Sequence, residues 1–258
     1  MTGFAVLLRK ELTEAWRTRR LPLLAIMFVL IGLISPLTAK FLPDILKAAL
    51  GDQAGSIPLP AADAAQAVLQ LQKNLGQLGA LAAIALAMGA VAGELDKGTA
   101  ALVLAQPVGR SAFLAAKLVA IGVVLAIATA LGIAVAWVYT AVLFELPSVG
   151  GWLALWGLTW LALFAYAALT LWASAATGST TAAAGLGFVA LIGLSLAAVV
   201  PAVERLLPAG LSGPAAQLAT GATTDLDPAK LATAVGGSVV LIALAAVGAS
   251  VAFRRREL

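Results

Sequence analysis

A glycine-containing segment at residues 93–100, GELDKGTA, has the general form of a phosphate-binding loop. In such a loop, a lysine that directly follows the second glycine reaches the β- and γ-phosphates of a bound nucleotide. Thr99 stands at that position in this chain, and no β-strand pattern precedes the segment. The sequence therefore predicts that the chain does not itself bind ATP.

The other side chains that could do chemistry are carboxylates and lysines, because the chain has no histidine and no cysteine. Disulfides, thiolate or imidazole metal sites and histidine-based acid–base catalysis are thereby excluded. Glu94 and Lys117 fall at the ends of apolar runs, where snorkelling or headgroup contact satisfies a charge. A charge at the centre of a membrane helix costs roughly 2.5–3.5 kcal/mol and marks ion pathways. Since no charge falls at mid-span, a proton- or sodium-coupled carrier is disfavoured, and we expect no catalytic residue, metal or cofactor on this chain.

The elements that position these residues are membrane spans. Of 258 residues, 62% are hydrophobic and 11% are charged, and the mean hydropathy is +1.04. Apolar runs of about 20 residues match the length that a helix needs to cross a hydrocarbon layer. The pattern predicts an all-α integral membrane protein, one transmembrane domain over residues 1–258, with six spans at about 21–41, 76–93, 114–143, 152–174, 182–203 and 231–253. Pro36 is expected to kink or end the first span.

Lysine and arginine are concentrated on the predicted face that carries both termini. The positive-inside rule then places both termini in the cytoplasm, in a bacterial or archaeal inner membrane. The connections at residues 42–75 and 204–230 would face outward. The first has apolar residues at helical spacing that predict a helix leading into the second span, and the second has prolines and glycines that predict short turns or helices.

Residues 3–20 precede the first span and have amphipathic helical periodicity. Phe4, Leu8 and Trp16 fall on an apolar arc, opposite a charged arc, so the segment is predicted to be an interfacial helix. The residues assigned to this interfacial role are Arg9, Lys10, Glu11 and Trp16. Within the second span, the Gly89-x-x-x-Gly93 spacing predicts a close approach between helix backbones.

The cytoplasmic segment 94–117 is too charged to be a span and has the pattern of a short helix between two stops. Gly98 and Thr99 offer an N-terminal turn and cap, residues 100–106 are good helix formers, and Pro107 with Gly109 ends the helix.

This segment resembles the ABC-2 type permeases of ATP-binding-cassette exporters. The likeness rests on Glu94, on Gly98-Thr99, on a leucine-containing helix, on the Pro107-to-Arg110 run and on Lys117 at the foot of the next span. The RKELTE of residues 9–14 looks like the entry helix of the same family. The long connection after the first span is more like the permeases of the nitrous-oxide-reductase maturation subgroup.

The resemblance implies a type V exporter fold in which two permeases, identical or a related pair, dock on two ATPase subunits that carry ATP and Mg²⁺. A homodimer is expected, with no nucleic-acid partner. The helix at 99–106 would be the coupling helix, and the resemblance assigns ATPase coupling to Glu94, Gly98, Thr99, Leu102, Pro107 and Arg110.

Two other classes of function stay open. A secondary carrier or channel would be recognised by substrate flux without any ATPase, and a membrane-embedded enzyme is disfavoured because no paired carboxylates or nucleophile constellation is present. Apolar cavity walls suit lipids, hydrophobic peptides and antibiotics equally, so the sequence defines no substrate.

Overall fold

The computed structural model describes residues 2–50, 62–99, 109–144 and 146–255. All regular elements within these ranges are helical. Six segments have the length and apolar composition to cross a membrane, which confirms the predicted all-α, six-span class. They are Arg20–Ala49, Ala64–Asp96, Arg110–Leu143, Val149–Thr177, Thr180–Ala197 and Pro228–Arg254, numbered here as the first to sixth spans.

The first span belongs to helix α2 (Arg20–Leu50), which follows α1 (Thr2–Arg17) after a short turn. Helix α2 continues through Pro36, so the alternative in which Pro36 ends the span is wrong. In a membrane, hydroxyl side chains and neighbouring helices satisfy backbone groups near a proline. Next to this proline, the Ser35 hydroxyl donates to the Ile31 carbonyl at 2.7 Å and accepts from the Asn74 amide at 2.9 Å, which ties the first span to the second.

The first and third spans cross at two glycines. A Cβ atom on Gly32 would overlap the Gly132 carbonyl, and one on Gly132 would overlap the Phe28 carbonyl. Gly89 and Gly93, where the sequence predicts a close approach, lie near a change of helix in the second span. Among the described residues, a Cβ on Gly93 would meet nothing within 4 Å and one on Gly89 only the Thr180 side chain, at 3.8 Å. A close contact of these two glycines with another helix therefore stays a prediction.

The second span changes helix type along its length. It consists of α3 (Ala64–Asn74), a π-helical turn (Leu75–Gly79), α4 (Ala80–Met88) and α5 (Ala92–Asp96). The predicted lead-in helix is present as α3, which buries Ala67, Val68 and Leu71. The span is thus much longer than the predicted 76–93.

The third, fourth and fifth spans are α6 (Arg110–Leu143), α7 (Val149–Thr177) and α8 (Thr180–Ala197). Short elements follow, as the prolines and glycines predict: α9 (Pro201–Glu204), a 3₁₀ turn (Pro208–Leu211), α10 (Ser212–Thr220) and a second 3₁₀ turn (Thr223–Asp225). The sixth span is α11 (Pro228–Arg254). Helix α1, the start of the third span and the end of the sixth meet at one end of the bundle, called here the terminal end.

Candidate functional site

A break in the second span sets the direction of its last turn. Helix α4 ends at Met88 and α5 begins at Ala92, so the intervening backbone groups lack their usual helical partners. The buried hydroxyl of Ser174, on the fourth span, supplies them. It donates to the Met88 carbonyl at 2.7 Å and accepts from the amides of Val91 and Ala92 at 3.3 and 3.0 Å. One side chain therefore holds both sides of the break, and the short helix beyond it carries Glu94.

Glu94 belongs to a group of five charged residues, called here the ion cluster: Lys10, Glu11, Glu14, Glu94 and Lys117. Lys117 Nζ lies 2.9 Å from Glu94 Oε1 and 3.0 Å from Glu11 Oε1. Lys10 Nζ lies 3.0 Å from Glu11 Oε1 and 3.5 Å from Glu14 Oε2, and it also bonds Glu94 Oε1. The ion cluster therefore joins α1 to the end of the second span and to the third span.

The burial of the ion cluster distinguishes it from a surface ion pair. The side chain of Lys117 is 2% exposed and that of Glu94 is 11% exposed. The sequence predicts that these two residues are satisfied by snorkelling or headgroup contact, and this is wrong, because they neutralise each other inside the protein. Removing one partner of such a pair leaves an uncompensated buried charge and is strongly destabilising.

Lys10 is the most exposed cation of the ion cluster. Burial alone would lower the pKa of its ammonium group, but the hydrogen bonds and charges of Glu94 and Glu11 outweigh that effect and raise the pKa above the usual lysine range. Lys10 therefore stays charged at neutral pH. Although Glu11, Glu14 and Glu94 bring carboxylate oxygens within 4.8 Å of one another, the ammonium groups of Lys10 and Lys117 already occupy the place of a cation.

The third span is also tied to the sixth. Phe113 stacks on Phe253 with ring centroids 5.5 Å apart, and Lys117 Nζ lies 4.8 Å from the centre of the Phe113 ring. The Arg110 guanidinium donates to the carbonyls of Arg254 at 3.0 Å and Phe253 at 3.4 Å. A cation at these carbonyls complements the negative end of the sixth-span helix. Arg110 thus holds the end of another span, a contact that sequence reasoning missed.

Gly98 and Thr99 close the second span. Gly98 has a φ of +67°, and its amide donates to the Leu95 carbonyl at 3.0 Å. This left-handed conformation is typical of a residue just past a helix end, which explains the glycine. The Thr99 hydroxyl donates back to the Glu94 carbonyl at 3.2 Å, so the described contacts of this pair cap the preceding helix. Leu102 and Pro107 lie outside the described residues.

The interfacial residues have mixed outcomes. A helix is present at the predicted place, but it ends at Arg17, and the chain turns at Arg19, which has a φ of 59°. Trp16 is 65% exposed within the chain, whereas Glu11 points inward to Lys117. Arg9 is exposed.

A cavity of about 420 Å³ lies beside the ion cluster. Gly89 and Gly93 line it together with Arg20, Lys97 and Thr99. The two glycines therefore leave space at the helix break. The GxxxG spacing of these glycines, from which the sequence predicts helix packing, therefore also fits residues that line a cavity.

A family model described as ABC-2 family transporter protein matches residues 5–215. The chain belongs to this family. The matched range includes most of α1, the first five spans and the start of α10, so all five residues of the ion cluster lie within it, whereas the sixth span does not.

One curated relative of this ABC-2 family protein is an uncharacterized transmembrane protein, YxlG, of Bacillus subtilis (strain 168). The two are 28% identical over 164 residues, which are 61% of this chain and 62% of the relative. The chain therefore spans less than two thirds of that relative. The name supports a membrane location and states no substrate.

Three residues of the site carry weaker sequence signals. Lys117 is a lysine in an otherwise apolar run, but it was assigned to the span end instead of the interior. Glu14 belongs to the charged arc of α1, which the sequence alone predicts to face outward. Ser174 carries no signal of its role, since nothing in the sequence marks which backbone groups it meets.

Proposed function

We propose that this ABC-2 family protein is the membrane-spanning permease subunit of an ATP-binding-cassette exporter, driven by a separate ATPase subunit. The supporting observation is the ion cluster. It binds together the two helices that border residues 97–109, through Glu94 on one side and Lys117 on the other. A segment fixed at both borders can transmit a push from a partner, whereas a slack loop cannot.

In this proposal, Leu102 and its neighbours form the coupling helix that contacts the ATPase, and Glu94, Gly98, Thr99, Pro107 and Arg110 frame it. Movement of the helix reaches the second span through Glu94, the third through Lys117 and the sixth through Arg110. The Ser174-supported break lets the last turn of the second span move relative to α4. ATP and Mg²⁺ are bound by the ATPase and not by this chain.

The proposed assembly contains two ATPase subunits and two permeases, with a homodimer as the simplest pairing. Large apolar side chains of the fifth and sixth spans remain exposed in the single chain, including Val189, Leu196 and Leu244 at 64, 67 and 62%. Lipid or a second permease can cover them. The membrane is the bacterial or archaeal inner membrane, with both termini in the cytoplasm.

Purification of the tagged full chain from native membranes tests the proposal. The expected result is co-purification of an ATP-binding-cassette ATPase and an intact-complex mass with two copies of each subunit. ATPase activity should respond to the permease and be abolished by a hydrolysis-deficient ATPase variant, together with transport. Substrate flux that continues without the ATPase would instead identify a secondary carrier or channel.

The proposed orientation has its own test, which the absence of native cysteine makes clean. Ala62→Cys and Lys97→Cys lie at opposite ends of the second span. An impermeant thiol reagent added to intact cells should label position 62 and leave position 97 unlabelled until the membrane is opened. The reverse pattern would mean that the topology is inverted.

A further inference from the structure

A second cavity, of about 440 Å³, lies at the end of the bundle away from the ion cluster. The second, fourth and fifth spans enclose it together with residues 208–216, which lie outside the six spans. Its size falls within the range of small-molecule pockets. The proposed coupling role uses none of its residues.

The wall on the second span is a π-helical turn, Leu75–Gly79, of which Leu75, Gly76 and Gln77 line the cavity. Single π turns inside α-helices occur frequently at functional sites. A Cβ atom on Gly76 would meet nothing within 4 Å, so the backbone itself faces open space at this point. The turn therefore widens the cavity where a regular helix with a side chain would fill it.

The inner part of the cavity is apolar, with Leu163 and Leu191 among its walls, and it contains one polar handle. Tyr166, near the middle of the fourth span, is only 7% exposed and lines the cavity. Within the described part of the chain its hydroxyl has no hydrogen-bond partner. Because Tyr166 lines the cavity and its hydroxyl is not among the buried polar atoms, this hydroxyl is accessible to bond an occupant of the cavity.

The mouth of the cavity is positively charged. Lys73 lines it and is exposed, and no acidic side chain is among the described residues that line it. In the described ranges no carboxylate pairs with Lys73. The adjacent Gln72 accepts a hydrogen bond from the Thr159 hydroxyl at 3.3 Å and donates one to the Ser212 carbonyl at 3.4 Å. Among the described residues that line the rim, Lys73 is therefore a cation without a carboxylate partner, and the others carry no charge.

We propose that this cavity binds an amphiphile with an apolar chain and an anionic head. The chain lies between the second and fourth spans, the head pairs with Lys73, and the Tyr166 hydroxyl bonds a polar atom along the chain. The occupant is either a bilayer lipid or the transported molecule. The second identity rests on the proposed transport function, whereas the binding site itself does not.

Photolabelling of the purified full chain in phosphatidylcholine nanodiscs tests the site. The probes are a diazirine derivative of palmitate, which is anionic, and the matching derivative of hexadecanol, which is neutral. Palmitate labelling should map to residues 69–77 and 158–166. Gly76→Leu should fill the cavity and reduce this labelling to the level of other lipid-facing surfaces, while Gly185→Leu, also in open space but away from the cavity, should not.

Head recognition is tested separately. Lys73→Gln should lower palmitate labelling roughly two- to fivefold, the range of a partly exposed ion pair, and leave hexadecanol labelling unchanged. Lys47→Gln, an exposed lysine outside the cavity lining, is the matched control. Tyr166→Phe keeps the volume and removes only the hydroxyl. It should lower labelling by a third probe, a diazirine derivative of a palmitate that carries a mid-chain hydroxyl, and leave palmitate labelling unchanged, since the palmitate chain has no polar atom to bond.

Equal labelling of Gly76→Leu and Gly185→Leu would overturn the site, and equal effects of Lys73→Gln on both probes would overturn the anionic head. Adding the ATPase and ATP then distinguishes the two possible identities of the occupant, a bilayer lipid and the transported molecule. Loss of palmitate label during turnover identifies the transported molecule, whereas unchanged label identifies a resident lipid, and both results retain the site. The binding measurement needs no ATPase, so its failure would leave the proposed function untouched.

Discussion

Glu94 Oε1 and Lys117 Nζ lie 2.9 Å apart, and the chain between them includes the segment on which the sequence predicts a coupling helix. The two residues therefore close the base of that segment from inside the protein. Because Lys117 also pairs with Glu11 of α1, the same contact fixes the N-terminal helix. One buried pair thus connects three elements that are distant in the sequence.

Glu94→Ala or Lys117→Ala should lower the free energy of unfolding by about 3–5 kcal/mol, because each leaves buried charges without a partner. Unfolding in mixed micelles measures the change.

The matched control is Lys230→Ala. Its pair with Glu204 spans 3.5 Å, and the side chains are 41% and 32% exposed, so its loss should cost under about 1 kcal/mol. Equal losses for Lys117→Ala and Lys230→Ala would show that burial does not strengthen the ion cluster.

Ser174→Ala should destabilise the protein by about 1–3 kcal/mol, since it leaves the Met88 carbonyl and two amides of the helix break without their partner. Ser195→Ala is the comparison, because that hydroxyl is exposed and bonds only the Leu191 carbonyl of its own helix. It should change stability by no more than about 0.5 kcal/mol. Thermal unfolding of both variants decides the matter, and a Ser174→Ala protein as stable as Ser195→Ala would mean that the break does not need the hydroxyl.

Gly132→Ala should be destabilising by at least about 1–3 kcal/mol, since its Cβ would push against the backbone of Phe28 and the helices would have to separate. Gly93→Ala should be tolerated, because its Cβ enters open space. The pair of variants separates the observed crossing from the one that the GxxxG spacing predicts. Thermal unfolding of the monomeric and the assembled protein measures both changes. A larger loss of stability for Gly93→Ala than for Gly132→Ala would indicate a helix contact at Gly93.

The spans were predictable because hydropathy depends on composition over a window of about 20 residues. Their ends were less so. The segment 64–74 contains Gln66, Gln70 and Lys73, which lower its hydropathy, although Val68 and Leu71 bury one face of it. Helical spacing predicted a helix here, but only packing against the first span and α10 makes it part of the second span.

The candidate site was predictable in its location but not in its contacts. The sequence identified Glu94 and Arg110 as charges near the coupling segment. Pairing depends on which helices are neighbours. The contacts of Lys117 with Glu11, and of Arg110 with the end of the sixth span, could therefore be found only from the structure. The role of Ser174 could not be predicted without knowing of the helix break. The sequence does not reveal that break, because glycines at 89 and 93 are equally typical of helix packing.

The last prediction concerns coupling, and it uses variants that spare stability as far as the site allows. Glu94→Gln keeps the shape of Glu94 and one acceptor oxygen but removes its charge, while Arg110→Gln weakens the tie to the sixth span. Both should still assemble with the ATPase and should lower substrate-stimulated ATPase activity severalfold, because a push on the segment is no longer passed to the second or sixth span.

Lys97→Gln is the control, since Lys97 is an exposed charge of the same segment outside the ion cluster. It should transport at the parental rate. Leu102→Pro should have the largest effect, because proline breaks a helix. Intact-complex mass measured beside ATPase activity and transport separates lost docking from lost coupling. If Glu94→Gln and Arg110→Gln assemble and transport like Lys97→Gln, these two residues do not couple the permease to its motor, and the ion cluster serves only to stabilise the fold.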